Sequence, residues 1–194
     1  MNKFLYKIVS ALEENGSIEK EHEEVYLYVL NSIFILGANL MISLLIGIVM
    51  GLPLFCILFL GTLIPLRSSA GGYHAGNWVT CHFLSCATLV LTLLWIKFTF
   101  PFQSLLTLIM AAPAGFFVFL FAPLEDDNKP LGETEKQYNR KKTRITVSAA
   151  MLLGVSCLFI SEKAAYAILG AVIWCGFGYG AWFIKNDLEK FNNQ

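Results

Sequence analysis

Acidic residues are missing from the middle of this chain. The hundred residues from 25 to 124 contain no Asp or Glu, and Arg67 and Lys97 are their only formal charges. Charge is scarce overall, at 14% of 194 residues, against about 25% in an ordinary soluble domain. A stretch that long without acids cannot form a half-wetted surface, so a water-soluble globule is excluded. The formal net charge is zero, so no long-range field draws nucleic acid and no nucleic-acid-binding signature is present. Cysteine is sparse and odd in number: Cys56, Cys81, Cys86, Cys157 and Cys175 lie scattered in apolar surroundings, which argues against a disulfide-stapled module. A cleavable leader is not expected in the first 24 residues. Lys3 and Lys7 interrupt the apolar residues, and Glu13 and Glu14 follow.

What the chain does have is long apolar runs. With 56% of residues hydrophobic, six segments stand out: 25–50, 52–66, 78–96, 102–122, 145–161 and 164–184. A membrane-crossing helix needs roughly 20 residues. The segment 52–66, with Pro53 and Pro65, reads either as a short span or as a re-entrant piece. The expected fold is therefore an all-α integral membrane bundle of about six hydrophobic segments, one or two of them short or re-entrant. It is preceded by an interfacial segment, 1–24, in which Phe4, Leu5, Ile8, Val9 and Leu12 form one face of an amphipathic helix. Residues 25–194 form a single membrane-embedded domain. Gly47/Gly51 and Gly176/Gly180 read as helix-packing pairs.

The loop expected at 123–144 carries Lys129, Lys136, Arg140, Lys141, Lys142 and Arg144. Basic loops stay in the cytoplasm. This places 123–144, the 67–77 segment and both termini on the cytoplasmic side.

Chemistry concentrates between the second and third segments, in Arg67-Ser-Ser-Ala-Gly71-Gly72-Tyr-His74-Ala-Gly-Asn77-Trp-Val-Thr-Cys81-His82. Arg67 could grip a carboxylate or phosphate with its planar fork, or anchor the chain to headgroups. Asn77 suits a helix N-cap before Trp78. Cys81 would then fall in the first helical turn, where the dipole favours a thiolate. In one continuous helix His74 and Cys81 would stand about 10 Å apart, so a catalytic contact requires the loop to fold back, which Gly72 and Gly76 allow. The competing reading is a polar loop histidine and an inert core cysteine. A zinc site from His74, Cys81, His82 and Cys86 lacks any metal-finger spacing. The lack of acids disfavours a carboxylate-based protease.

These residues, spaced R-x3-GG-x-HA-x5-C, resemble the signature of the accessory gene regulator protein B (AgrB) family, bacterial membrane peptidases of peptide quorum sensing. The Pro123-Leu-Glu125-Asp-Asp-Asn128-Lys129-Pro130 stretch is also similar to that family's. The resemblance implies a cysteine endopeptidase of the bacterial cell membrane, without cofactor or metal, with His74 and Cys81 as the catalytic pair. It implies cleavage of an AgrD-like propeptide through a Cys81 acyl-thioester, closed into a thiolactone or lactone ring. Arg67, Gly71, Gly72, Lys129, Arg140, Lys141, Lys142 and Arg144 are the expected positioning or substrate-binding residues. N–H groups at the Trp78 helix start or around Gly71-Gly72 are the expected oxyanion donors. The expected partners are the propeptide, the bilayer and a second copy in a homodimer. The alternatives are a small transporter or exporter, which needs ionisable groups inside the spans, or a non-catalytic peptide-binding subunit.

Overall fold

The computed structural model describes residues 6, 9, 10, 23–71, 78–124 and 132–192. Residues 23, 24, 28, 32, 78, 79, 81 and 185–192 are described by backbone alone. Six long helices follow one another: α1 Glu23–Val49, α2 Pro53–Ala70, α3 Trp78–Lys97, α4 Gln103–Phe121, α5 Glu133–Cys157 and α6 Glu162–Asn192. The chain divides into two compact units, 1–45 and 46–194.

In the first unit, α1 is unbroken. It has no proline, and its apolar side chains, Ile33, Phe34 and Met41 among them, are exposed. Of the expected N-terminal amphipathic helix, Tyr6, Val9 and Ser10 are described. All three are helical, Tyr6 exposed and Val9 buried, and the Ser10 hydroxyl donates to the Tyr6 carbonyl at 2.8 Å. The rest of that segment lies outside the described residues.

The second unit is an up-and-down bundle. Ser104 at the start of α4 bonds Glu162 and Tyr166 at the start of α6, whereas Phe117 stacks on Tyr179 and Phe183 toward the far ends. Hence α4 and α6 run in the same direction. So does α2, whose last residue, Ala70, accepts a bond from Tyr179. α3 and α5 run oppositely: Trp95 near the end of α3 bonds Thr107 near the start of α4, and Arg144 in α5 reaches Phe119 late in α4. This alternation brings the α2–α3 connection and the α4–α5 connection to the same end.

α6 is the hub, packing on α2, α3, α4 and α5. Its run Ala165–Ile173 is buried on every side, as expected of a helix apolar all round. Four small residues in that run, Ala165, Ala167, Gly170 and Ala171, let neighbours approach closely. Many large apolar side chains of the other helices face outward, Ile109, Phe116, Leu152 and Leu153 among them. In water that surface would aggregate; toward acyl chains it is the favourable face. Among the described residues, four helices, including α2, α4 and α6, are long and apolar enough to cross a membrane. The chain is an all-α membrane protein.

Two expectations are revised here. α2 is a continuous helix of 18 residues that runs through Pro65 and includes Arg67, so it extends past the expected end at Leu66. The basic stretch expected as a loop up to 144 is helical from Glu133. Lys, Arg, Gln and Glu are strong helix formers, and Glu133 and Glu135 in the first turn offset the macrodipole. Thr143, Val147, Ala150 and Gly154 then make one buried stripe along α5, while Arg140, Lys141 and Lys142 stay exposed.

The two glycine pairs split between roles. A Cβ added at Gly47 would meet Cys56 Cβ at 2.7 Å, and one at Gly176 would meet Ala114 Cβ at 2.6 Å and its Cα at 2.9 Å. Gly180 has open space instead, and Gly51 sits in the α1–α2 turn. Gly176→Ala is therefore expected to destabilise the protein by about 1–3 kcal/mol, because two backbones must separate. Gly180→Ala should be neutral or slightly stabilising. Thermal unfolding of the two variants in detergent checks the contrast.

Candidate active site

The signature begins on the last turn of α2. Arg67 is half-buried there, where the negative end of the helix dipole favours a cation. The Ser68 and Ser69 hydroxyls both donate back to the Pro65 carbonyl at 3.0 Å, tightening the turn. The helix closes with the Gly71 N–H on the Arg67 carbonyl at 3.2 Å.

One carbonyl then fixes how the chain leaves. Ala70 O accepts the Leu124 N–H at 3.0 Å and the hydroxyl of Tyr179 from α6. Gly71 adopts φ 70°, ψ −150°, a region essentially restricted to glycine, and pairs with Leu124 in an isolated parallel bridge. A Cβ at Gly71 would overlap the Leu124 carbonyl oxygen. Three elements distant in sequence thus clamp the entrance to the 72–77 segment. Leu66, Ala70, Val118, Ala122, Leu124, Val147 and Tyr179 form one buried cluster beneath it.

α3 starts at Trp78, where the sequence places it, and the Cys81 backbone lies in its first turn. The Cys81 side chain, His74, Gly72, Asn77 and Lys129 lie outside the described residues. The two expected catalytic groups are therefore placed only by their neighbours in the chain, Gly71 and Trp78. Among the described residues, no group of three His, Cys, Asp or Glu side chains could hold a metal.

The cations of α5 divide. Arg140, Lys141 and Lys142 are exposed, one to two turns beyond Val147 of the buried cluster and so at the signature end. Arg144 is turned onto α4: its Nε donates to the Phe119 carbonyl at 3.2 Å, and its guanidinium lies 5.0 Å from the Phe119 ring centroid. Of the polar residues in the spans, Gln103 is absorbed structurally, its Nε2 donating to the Trp95 carbonyl. Sequence reasoning missed Tyr179. Its signal is a hydroxyl inside an apolar span, which must find an acceptor.

A model of the accessory gene regulator B family matches residues 5–179. The chain belongs to that family. An AgrB-like protein of Clostridium perfringens is 26% identical over 141 residues, which is 70% of this chain and 65% of the relative. The match thus spans less than two thirds of that relative's length. No solved structure matches the chain. For this AgrB family member, the matched region includes the signature, the clamp around Ala70 and the basic start of α5.

Within that clamp, Tyr179→Phe isolates the hydroxyl. The variant keeps the ring packing and should lose about 1 kcal/mol of stability. It should also lower turnover of the propeptide proposed below while leaving its KM unchanged, since among the described residues the hydroxyl bonds the Ala70 carbonyl. Steady-state kinetics in proteoliposomes would check this. A change in KM alone would show that Tyr179 does not act through the signature segment.

Proposed function

We propose that the protein takes part in quorum-sensing peptide processing, as a membrane-embedded cysteine endopeptidase that cleaves a propeptide and cyclises it. The observation that carries this reading is the position of Cys81. It closes the R-x3-GG-x-HA-x5-C signature in the first turn of α3, where a helix dipole lowers the cost of a thiolate. Family membership supports it.

In this mechanism His74 takes the proton of the Cys81 thiol, and the thiolate attacks the scissile carbonyl. The tetrahedral intermediate collapses as the C–N bond breaks, and the His74 imidazolium protonates the departing amine. The acyl group remains on Cys81 as a thioester. An internal substrate thiol then attacks that thioester, closing a thiolactone and releasing the Cys81 thiolate. Thioester exchange is nearly balanced, so the enzyme's work is to hold the acyl chain folded and keep water out. The Gly71 N–H already caps α2. That leaves the Gly72 N–H and the N–H groups at the start of α3, which have no partner within their own helix, as the oxyanion donors.

Arg140, Lys141 and Lys142 at the same end of the bundle attract the acidic leaving segment of the propeptide. The positive-inside rule puts this end, and both termini, in the cytoplasm of the bacterial cell membrane, and a homodimer is the expected assembly. In the test, proteoliposomes are incubated with a synthetic propeptide bearing an internal cysteine ahead of an acidic tail. Mass spectrometry should show the N-terminal fragment at the mass of its linear form less one water. Intact propeptide after prolonged incubation with well-folded protein would refute the peptidase reading.

A further inference from the structure

The end of the second unit opposite Arg67 is built unlike a water-facing surface. Its two hairpin turns carry Phe98, Phe100 and Phe102 between α3 and α4, and Phe159 and Ile160 between α5 and α6. Their exposures are 64% at Phe98, 76% at Phe102, 89% at Phe159 and 86% at Ile160. The turns are neighbours, since Ser104 beside the first bonds Glu162 beside the second. We propose that the α5–α6 turn lies within the acyl-chain region of its leaflet, so that this part of the bundle's end is a lipid-contacting apolar surface.

Length argues for it. α5 extends from the basic residues ending at Arg144 only to Cys157, about 20 Å of helix at 1.5 Å per residue. A bilayer's hydrocarbon is about 30 Å thick. α2 agrees, with Pro53 and Arg67 separated by about 21 Å. With Arg144 and Arg67 at the hydrocarbon boundary of one leaflet, the α5–α6 turn stops several ångströms short of the other boundary.

Hydrogen bonding agrees independently. Backbone polar groups can be immersed in lipid only if they are satisfied internally. In the α5–α6 turn, four successive N–H groups are: Leu158 to Val155 O at 3.2 Å, Phe159 to Ser156 O at 3.2 Å, Ile160 to Cys157 O at 3.0 Å and Ser161 to Cys157 O at 2.7 Å. In the α3–α4 turn only the Phe98 and Gln103 N–H groups bond backbone, to Leu94 O at 3.0 Å and Phe100 O at 3.4 Å, so the criterion is met by the α5–α6 turn.

The charges nearby fit as well. Glu162 is exposed, and its carboxyl oxygens accept bonds from Ser104 at 3.2 Å and Tyr166 at 3.4 Å, which hold the group against α4 beside the turn. Lys97 and Lys163 are exposed, and their long stems let the ammonium groups reach toward the headgroups.

The test is a nitroxide attached at Ile160→Cys in the full chain, reconstituted in bilayers, with the labelled unsubstituted chain as background and Tyr138→Cys on the polar half of α5 as a water-exposed reference. At position 160, power-saturation EPR should show strong broadening by oxygen and little by a water-soluble nickel chelate, a several-fold reversal of the ratio at 138. Nickel access at 160 equal to that at 138 would overturn the proposal by showing an aqueous loop. Exclusion of both reagents with an immobilised spectrum would overturn it by showing a protein covering. Phe159→Cys, on the same turn and 89% exposed, repeats the measurement if the first variant fails to reconstitute.

Discussion

Replacing Cys81 by alanine is expected to stop both propeptide cleavage and ring closure, lowering turnover by roughly 10^3-fold or more. The two activities should fall together, because the thioester is the product of the first step and the substrate of the second. A mechanism with separate cleavage and cyclisation sites would lose only one. Binding should survive, since truncating the thiol removes the attacking atom and little contact area. A labelled propeptide should therefore still co-sediment with Cys81→Ala proteoliposomes. Cys86→Ala is the matched control, in the same helix but beyond its first turn, and should cleave at the normal rate. Alkylation gives a readout independent of substrate. Near neutral pH, iodoacetamide should label Cys81 fastest, and His74→Ala should slow that labelling. Normal cleavage by Cys81→Ala would end the assignment of the nucleophile.

The second large effect is expected at Gly71. Alanine there meets two penalties at once. The observed φ and ψ lie where a side chain costs about 1–3 kcal/mol. The new Cβ also runs into the Leu124 carbonyl oxygen, which is main chain and cannot rotate away. A loss of about 2–5 kcal/mol is expected, unless the α2 exit shifts and breaks its pairing with Leu124. Either outcome displaces the segment leading to His74. A displacement near 1 Å suffices to cost about a hundredfold in rate. Thermal unfolding and turnover should therefore both suffer in Gly71→Ala. Gly61→Ala in the same helix meets nothing within 4 Å and should leave both unchanged. A fully active, normally stable Gly71→Ala would show that the clamp around Ala70 does not set the site.

The spans and the start of α3 at Trp78 were legible in the sequence because each rests on a local signal, an apolar run or a helix-starting residue. The start of α5 was not. A cluster of cations near apolar segments reads equally as a cytoplasmic loop or as a polar helical extension, and only the buried stripe from Thr143 to Gly154 separates the two. Arg144 was hidden for a related reason: its charge looks like its neighbours' on paper, but its position on α5 turns it toward Phe119. The convergence of Gly71, Leu124 and Tyr179 is a property of topology. No spacing rule links positions 53 and 108 residues from the first of them. The reach from His74 to Cys81 rests on the sequence alone.

Hydrogen bonds from side chains join α3 to its neighbours near its C-terminal end. Trp174 donates to Thr92 at 2.9 Å, Trp95 to Thr107 at 3.1 Å, and Gln103 to the Trp95 carbonyl. All three fasten the final two turns of that helix, while its packing on α2 is slight. These bonds thus tie α3 to both α4 and α6 at the end away from the signature.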